Sequence, residues 1–165
     1  MKTNENLKAA FAGESQANRK YLAFADKARK DGFEKVARLF EAVAEAETIH
    51  AVKQYQVSGN VKSTLENLRA AADGENYEHT NMYPPFIKDA EEEEAKAARA
   101  IFHLANEAEK VHEKLFLKAA EAVEKNQDVA AESFYLCPVC GYVCENEAPE
   151  KCPICGAPGS NFKKY

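Results

Sequence analysis

The sequence predicts an all-α protein, a four-helix bundle, followed by a small metal knot built on four cysteines. Three observations carry this prediction. Ala, Glu, Lys and Leu dominate most of the chain at helical spacing. The composition then changes near residue 130, beyond which lie all five cysteines, four of the six prolines and three of the seven glycines. Glu and His recur at core positions of the helical stripes, where apolar residues belong.

The change of composition divides the chain into a helical body, 1–130, and a knot, 134–165, with a linker around 126–133. A knot of about 30 residues buries too little apolar surface to fold unaided and needs a staple. The first helix is expected over 3–30, stopped by Asp31-Gly32, and the second over 33–57, stopped by Ser58-Gly59-Asn60. The third is expected from Ser63 or Thr64 to about 90, with a kink or break at Pro84-Pro85. The fourth is expected from the Glu91–Glu94 cluster to about Lys125, its acidic start matching the positive end of the helix dipole.

The net charge of −5 and the lack of any Lys/Arg-rich run argue against a nucleic-acid partner. No stretch approaches 18 consecutive apolar residues, so no membrane span is expected. The N-terminal Met1-Lys2-Thr3-Asn4-Glu5 has no apolar signal-peptide core, and the cytoplasm is the expected location. An odd, clustered set of cysteines reads as metal binding rather than a disulfide framework.

The body contains an internal repeat. A shift of 62 lays Tyr21 on Tyr83, Phe40 on Phe102, Glu47 on Glu109 and His50 on His112; a shift of 61 lays Gly13-Glu14 on Gly74-Glu75. Two helical hairpins of one type, paired about an approximate two-fold axis, account for it. On the second helix, Val36, Phe40, Val43, Glu47 and His50 share one face, and the fourth repeats it with Ala98, Phe102, Ala105, Glu109, His112 and Phe116. The first contributes Glu14 and Tyr21, the third Glu75 and Glu78 or His79. Buried carboxylates without counter-ions are very costly, and no Lys or Arg shares these stripes. Two iron ions bring about +4 when ferrous and +6 when ferric, against about −5 from five glutamates. Glu-x-x-His on two helices with a Glu from each of the others is a di-metal carboxylate donor set. Chance occurrence on solvated faces is the bland alternative; two copies in register with a repeat weigh against it. His103 reads as a surface residue, and His79 as a neighbour of the site rather than a ligand.

Cys137-Pro138-Val139-Cys140-Gly141 and Cys152-Pro153-Ile154-Cys155-Gly156 form two Cys-x-x-Cys-Gly turns with eleven residues between them. Such turns grip one tetrahedral ion, zinc or iron. Beside a di-metal redox site, iron is the expected occupant. Tyr135, Tyr142 and Phe162 are placed to shield the sulfurs, and Cys144 stands outside both pairs.

Phe11-Ala12-Gly13-Glu14-Ser15-Gln16-Ala17, the Glu47–His50 pair, Gly74-Glu75-Asn76-Tyr77-Glu78 leading to Met82-Tyr83-Pro84, the Glu109–His112 pair and the cysteine knot together resemble rubrerythrin, and the knot is similar to rubredoxin. The resemblance implies a ferritin-like fold, up-down with a long crossover between helices 2 and 3. It implies a di-iron site on Glu14, Glu47, His50, Glu75, Glu78, Glu109 and His112, oxo- or hydroxo-bridged when oxidised, and one iron on Cys137, Cys140, Cys152 and Cys155. Tyr21 and Tyr83 match tyrosines that hydrogen-bond near that site. One iron of the family moves between a glutamate and a histidine with oxidation state, and Glu78 and His50 match those positions. The implied activity is a non-haem di-iron peroxidase of the NADH-peroxidase type. It reduces hydrogen peroxide to water in oxidative-stress defence, with electrons from a separate reductase, a free rubredoxin, or both. The implied assembly is a head-to-tail homodimer, which brings one subunit's knot to the other's bundle; exchange of helices between subunits is a variant. The rival readings are a ferroxidase or iron-handling protein and a zinc-binding redox-sensing module.

Overall fold

The computed structural model describes residues 1–165. Five α-helices are followed by a three-stranded sheet, and the chain packs as two units, 1–62 and 63–165. No helix is long and apolar enough to cross a membrane.

The first unit is a hairpin of α1 (Lys2–Lys30) and α2 (Glu34–Val57). Its buried positions are alanines: Ala25, Ala28 and Ala37, with Phe40 packed against them, then Ala44 and Ala51. Small side chains let the two backbones approach closely. The Asn18 amide uses that proximity, donating to the Ala44 carbonyl at 2.7 Å and to Thr48 Oγ1 at 2.8 Å. At the turn, Arg29 bridges to Glu41 at 2.8 Å and Glu34 at 3.2 Å; these pairs are exposed and contribute little.

The second unit begins with α3 (Thr64–Tyr77), opened by a reciprocal cap between Ser63 and Glu66. The expected break in the third helix exists but lies before the prolines. A π turn, Glu78–Met82, interrupts the helix, and α4 (Tyr83–Glu92) follows. Pro84 and Pro85 sit in the first turn of α4, where a missing N–H and a fixed φ are tolerated. The Glu91–Glu94 cluster closes α4 and forms the turn, with Glu94 at φ 54°, instead of opening the next helix. Helix α5 starts at Lys96 and runs to Glu124. The connection from α2 to α3 is only the six residues Ser58–Ser63, not a long crossover.

Strands β1 (Phe134–Leu136), β2 (Val143–Glu145) and β3 (Lys163–Lys164) form an antiparallel sheet in the order β2-β1-β3. Tyr135 pairs with Cys144 on one side and Lys164 on the other. The sheet carries the two cysteine turns and contacts α5 through β2.

The repeat is visible in three dimensions. In the first unit Phe24 and Phe40 lie 5.6 Å apart and Tyr21 lies 6.1 Å from Phe40. In the second, Phe86 and Phe102 lie 5.7 Å apart and Tyr83 lies 6.2 Å from Phe102. The π turn explains why the two halves are offset by 61 residues at Glu14/Glu75 but by 62 at Tyr21/Tyr83. One extra residue has entered the second half between those points, and a π turn is how an α-helix absorbs one.

Candidate metal centres

Each unit carries one cluster of carboxylates and imidazole. In the first, Glu14 on α1 meets Glu47 and His50 on α2, with ligand atoms within 4.8 Å of one another. His50 Nδ1 lies 3.1 Å from Glu47 Oε2 and 3.7 Å from Glu14 Oε1. Glu14 is pushed above the ordinary carboxyl value, chiefly by a hydrogen bond shared with Glu47. In the second unit, Glu75 on α3 meets Glu109 and His112 on α5 within the same distance. His112 Nδ1 lies 2.6 Å from Glu109 Oε2.

The second cluster is the more strained electrostatically. Burial, and then the charge of Glu109 and a hydrogen bond to it, push Glu75 up to about 7. Burial also pushes Glu109 up, but its hydrogen bond to His112 and that imidazole's charge more than offset this and hold it below the ordinary value. His112 is raised in turn by Glu109. Glu78 stands on the π turn, outside the tight cluster, yet burial and then the charge of Glu109 push it up. Glu14, Glu47 and Glu109 have the imidazoles of His50 and His112 as their close partners rather than Lys or Arg.

Tyr83 lies close enough to the second cluster that burial and the charges of Glu78, Glu109 and Glu75 all push its phenol up. Tyr21 makes ring contacts with Phe24 and Phe40. His79 pairs with Glu113, Nε2 to Oε2 2.7 Å, and Asn76 donates to the other Glu113 oxygen at 2.8 Å. Glu113 was missed in the sequence because its partners lie on another helix; Asn76 and His79, three residues apart on one helical face, were the available signal. His103 is exposed, as expected of a surface residue.

In the knot, Cys137 and Cys152 are buried, and all five cysteines are free thiols. The Sγ atoms of Cys137 and Cys155 lie 3.6 Å apart, and those of Cys140 and Cys152 3.5 Å apart. A tetrahedral ion with metal–sulfur bonds near 2.3 Å needs sulfur–sulfur edges of about 3.8 Å, so the four thiols are spaced for one ion. Cys152 is drawn down to about 7: burial opposes ionisation, but the backbone N–H groups of Cys155 and Ile154 outweigh it. Gly141 takes φ +84°, which turns its chain around the sulfurs; an L side chain there would be strained. Cys144 is partly buried, with its thiol near the Glu147 carbonyl at 3.3 Å.

The knot lies against the α5 cluster of its own chain. His112 Nε2 donates to the Gly141 carbonyl at 2.9 Å. That bond is the usual outer hydrogen bond of a metal-ligating histidine, and Nδ1, hydrogen-bonded to Glu109 in the metal-free chain, is the nitrogen left to bind a metal once its proton leaves. An apolar cavity of about 460 Å³, walled by Leu68, Leu115, Phe116, Phe134 and Val143, adjoins Glu75 and His112.

The donor chemistry fits the groups that the sequence suggested. Clustered carboxylates with one imidazole each, held together at a cost in proton affinity, suit hard or borderline cations; four converging thiols suit iron or zinc.

Comparison with known proteins agrees. Residues 5–120 match the rubrerythrin family, and 135–163 match the rubredoxin-like domain of rubrerythrin. Nigerythrin of Nitratidesulfovibrio vulgaris is 42% identical over 99% of this chain and 86% of its own. Rubrerythrin-2 of Clostridium acetobutylicum is 36% identical over 99% and 96%, and rubrerythrin of Porphyromonas gingivalis is 39% identical over 98% and 89%. Solved structures of nigerythrin in its partially reduced and its fully reduced, all-ferrous states each align with a TM-score of 0.60 at 42% identity, over 99% of this chain and 86% of theirs. The chain belongs to the rubrerythrin family, with that family's di-iron domain and its rubredoxin-like four-cysteine site.

Proposed function

We propose that the protein reduces hydrogen peroxide to water at the carboxylate centre, with electrons relayed through the four-cysteine site. The carrying observation is His112, whose two ring nitrogens face Glu109 on one side and the Gly141 carbonyl, next to Cys140, on the other. One side chain thus joins the two donor sets, which a structural zinc knot would not require. Membership of a family of di-iron redox enzymes supports the reading.

Glu14, Glu47, His50, Glu75, Glu78, Glu109 and His112 would hold the iron pair, and Cys137, Cys140, Cys152 and Cys155 the third iron. A bound pair supplies the two electrons that O–O cleavage consumes; two protons are also taken up, and two waters leave. Tyr83, its phenol held above the ordinary value, stays protonated and offers a hydrogen bond toward the carboxylates. Leu115 and Phe116 give the cavity beside His112 an apolar wall. The bond from His112 to the Gly141 carbonyl gives the knot a short route for returning electrons, one at a time. A separate reductase, with or without a free rubredoxin, would recharge the knot.

The test is anaerobic. The iron-loaded protein is reduced fully, stoichiometric peroxide is added, and reoxidation of both centres is followed optically. Both should reoxidise far faster than in buffer alone. Reoxidation no faster than the buffer control removes the peroxidase reading.

A further inference from the structure

We propose that Asn76, His79 and Glu113 form a positioning clamp for Glu78: they tie the π turn and the end of α3 to α5, and so hold the Glu78 carboxylate at the edge of the metal cluster. The inference rests on the di-iron reading above and goes beyond it by assigning a task to three residues that hold no metal.

The first ground is the hydrogen bonding. A carboxylate only accepts, so both contacts of Glu113 run toward it. His79 Nε2 donates to one oxygen at 2.7 Å, and Asn76 Nδ2 donates to the other at 2.8 Å. Both oxygens are used, by residues one turn apart on the facing element. The His79–Glu113 pair is sheltered, its side chains 13% and 20% exposed.

The second ground is placement. Each member of the clamp follows a residue of the centre in the chain: Asn76 follows Glu75, His79 follows Glu78 and Glu113 follows His112. Neighbours on a helix point about 100° apart, so the clamp joins the elements beside the cluster without entering it. Glu78 lies near enough to Glu109 to feel its charge.

The third ground is the π turn itself. The Tyr83 N–H reaches back five residues to the Glu78 carbonyl, so Glu78 opens the widened turn. Such turns are rare and cluster at functional sites. Moving the extra residue one position toward α3 would swing Glu78 by about 100°, away from the cluster. Thr80 Oγ1 braces the turn locally, 2.6 Å from the Asn76 carbonyl, and His79 links it to another helix.

The repeat supplies the control. In the first hairpin Glu113 falls on Ala51, Asn76 on Ser15, and Glu78 on Gln16 or Ala17 according to the shift. Ala51 is 6% exposed, and the Ser15 hydroxyl donates to the Phe11 carbonyl of its own helix at 2.7 Å. The hairpin without a π turn and without the extra carboxylate is also without the clamp.

A double-mutant cycle with Glu78 tests this. Protein is loaded anaerobically with ferrous iron, excess chelator is added, and release of the carboxylate-held iron is followed optically. The red ferric absorption of the knot, read on a reoxidised sample, confirms that each variant folded. His79→Phe should release that iron about tenfold faster than the wild type. His79→Gln, which restores an N–H donor, should return the rate close to the wild-type value. Adding His79→Phe to Glu78→Ala should change the rate by less than about twofold, because the clamp then has nothing to position. Should His79→Phe fail to fold, Glu113→Gln, nearly isosteric and able to satisfy only one of the two donors, runs the same cycle. If the wild type holds its iron pair but neither variant releases it faster, or His79→Gln does not restore the rate, or the acceleration is the same with and without Glu78, the clamp is overturned while the di-iron reading stands. If the wild type itself holds no carboxylate-bound iron, the di-iron reading falls and the clamp with it.

Discussion

Glu75 shows how one side chain reports on the purpose of its surroundings. An ordinary glutamate titrates near 4.5, and this one is pushed up to about 7 by burial and by Glu109. In the metal-free chain the folded state therefore holds that proton more tightly than the unfolded state. The resulting stabilisation is complete below about 4.5 and is lost as pH rises through about 7. A metal ion reverses the sign, because it needs the carboxylate. Its affinity should fall as pH drops below 7, by up to tenfold per unit for this group. His112, raised by Glu109, acts in the same direction. With the cysteine site already filled, titrating ferrous iron or zinc into the carboxylate centre should release about 0.8 more proton per centre at pH 6 than at pH 8 from Glu75 alone, and His112 adds to it. Calorimetry in buffers of different ionisation heat measures the difference, and equal release at both pH values would refute a raised Glu75. The ligand residues were legible in the sequence because i, i+3 spacing alone puts Glu47 with His50 and Glu109 with His112 on one face. The Glu113–His79 pair and the His112–Gly141 bond were not, because each joins elements whose mutual placement no local spacing encodes.

At the scale of elements, the contact between α5 and the knot is the piece most open to test. Ala108 is 1% exposed, and a Cβ built on Gly141 would sit 4.0 Å from its methyl group, so the two elements meet through small residues. Ala108→Leu adds three carbons to that contact and should destabilise this unit by about 1–3 kcal/mol through overpacking. The knot's ligands lie on local turns, so the red iron site should survive. Reoxidation of the knot by peroxide should slow by tenfold or more, read by stopped flow, since the His112–Gly141 bond is pushed apart. An unchanged rate would show that electrons take another path. Periodicity locates the helical stretches, whereas the division of the third into α3, a π turn and α4, the start of α5 and the small sheet of the knot lie beyond it. Glu91–Glu94 looks like a helix start because acidic residues suit one end of a dipole, but Glu94 at φ 54° makes the run a turn. The π turn is legible in the two unequal repeat shifts, 61 and 62, whereas the prolines mark only the first turn of α4. It also gives Glu78 its place: the inserted residue lies between Glu75 and Tyr83, so the first repeat has no equivalent carboxylate in register.

At the scale of the whole molecule, the chain is two variations on one hairpin plus a knot. Each hairpin carries three clustered ligands, and neither carries a full complement for two ions. The repeat was legible in the sequence; the shortness of the α2–α3 connection needed the helix ends, and those are set by Gly59 and by the Ser63–Glu66 cap. The claim beneath all of this is that the inward glutamates and histidines exist to hold a pair of metal ions. Metal analysis of protein loaded anaerobically with ferrous iron tests it directly, in the wild type and in Glu109→Ala. Three irons per chain are expected in the wild type, and one in the variant, with the red absorption of the knot unchanged. A wild type that retains only the single knot iron, or a variant that keeps all three, would contradict the claim.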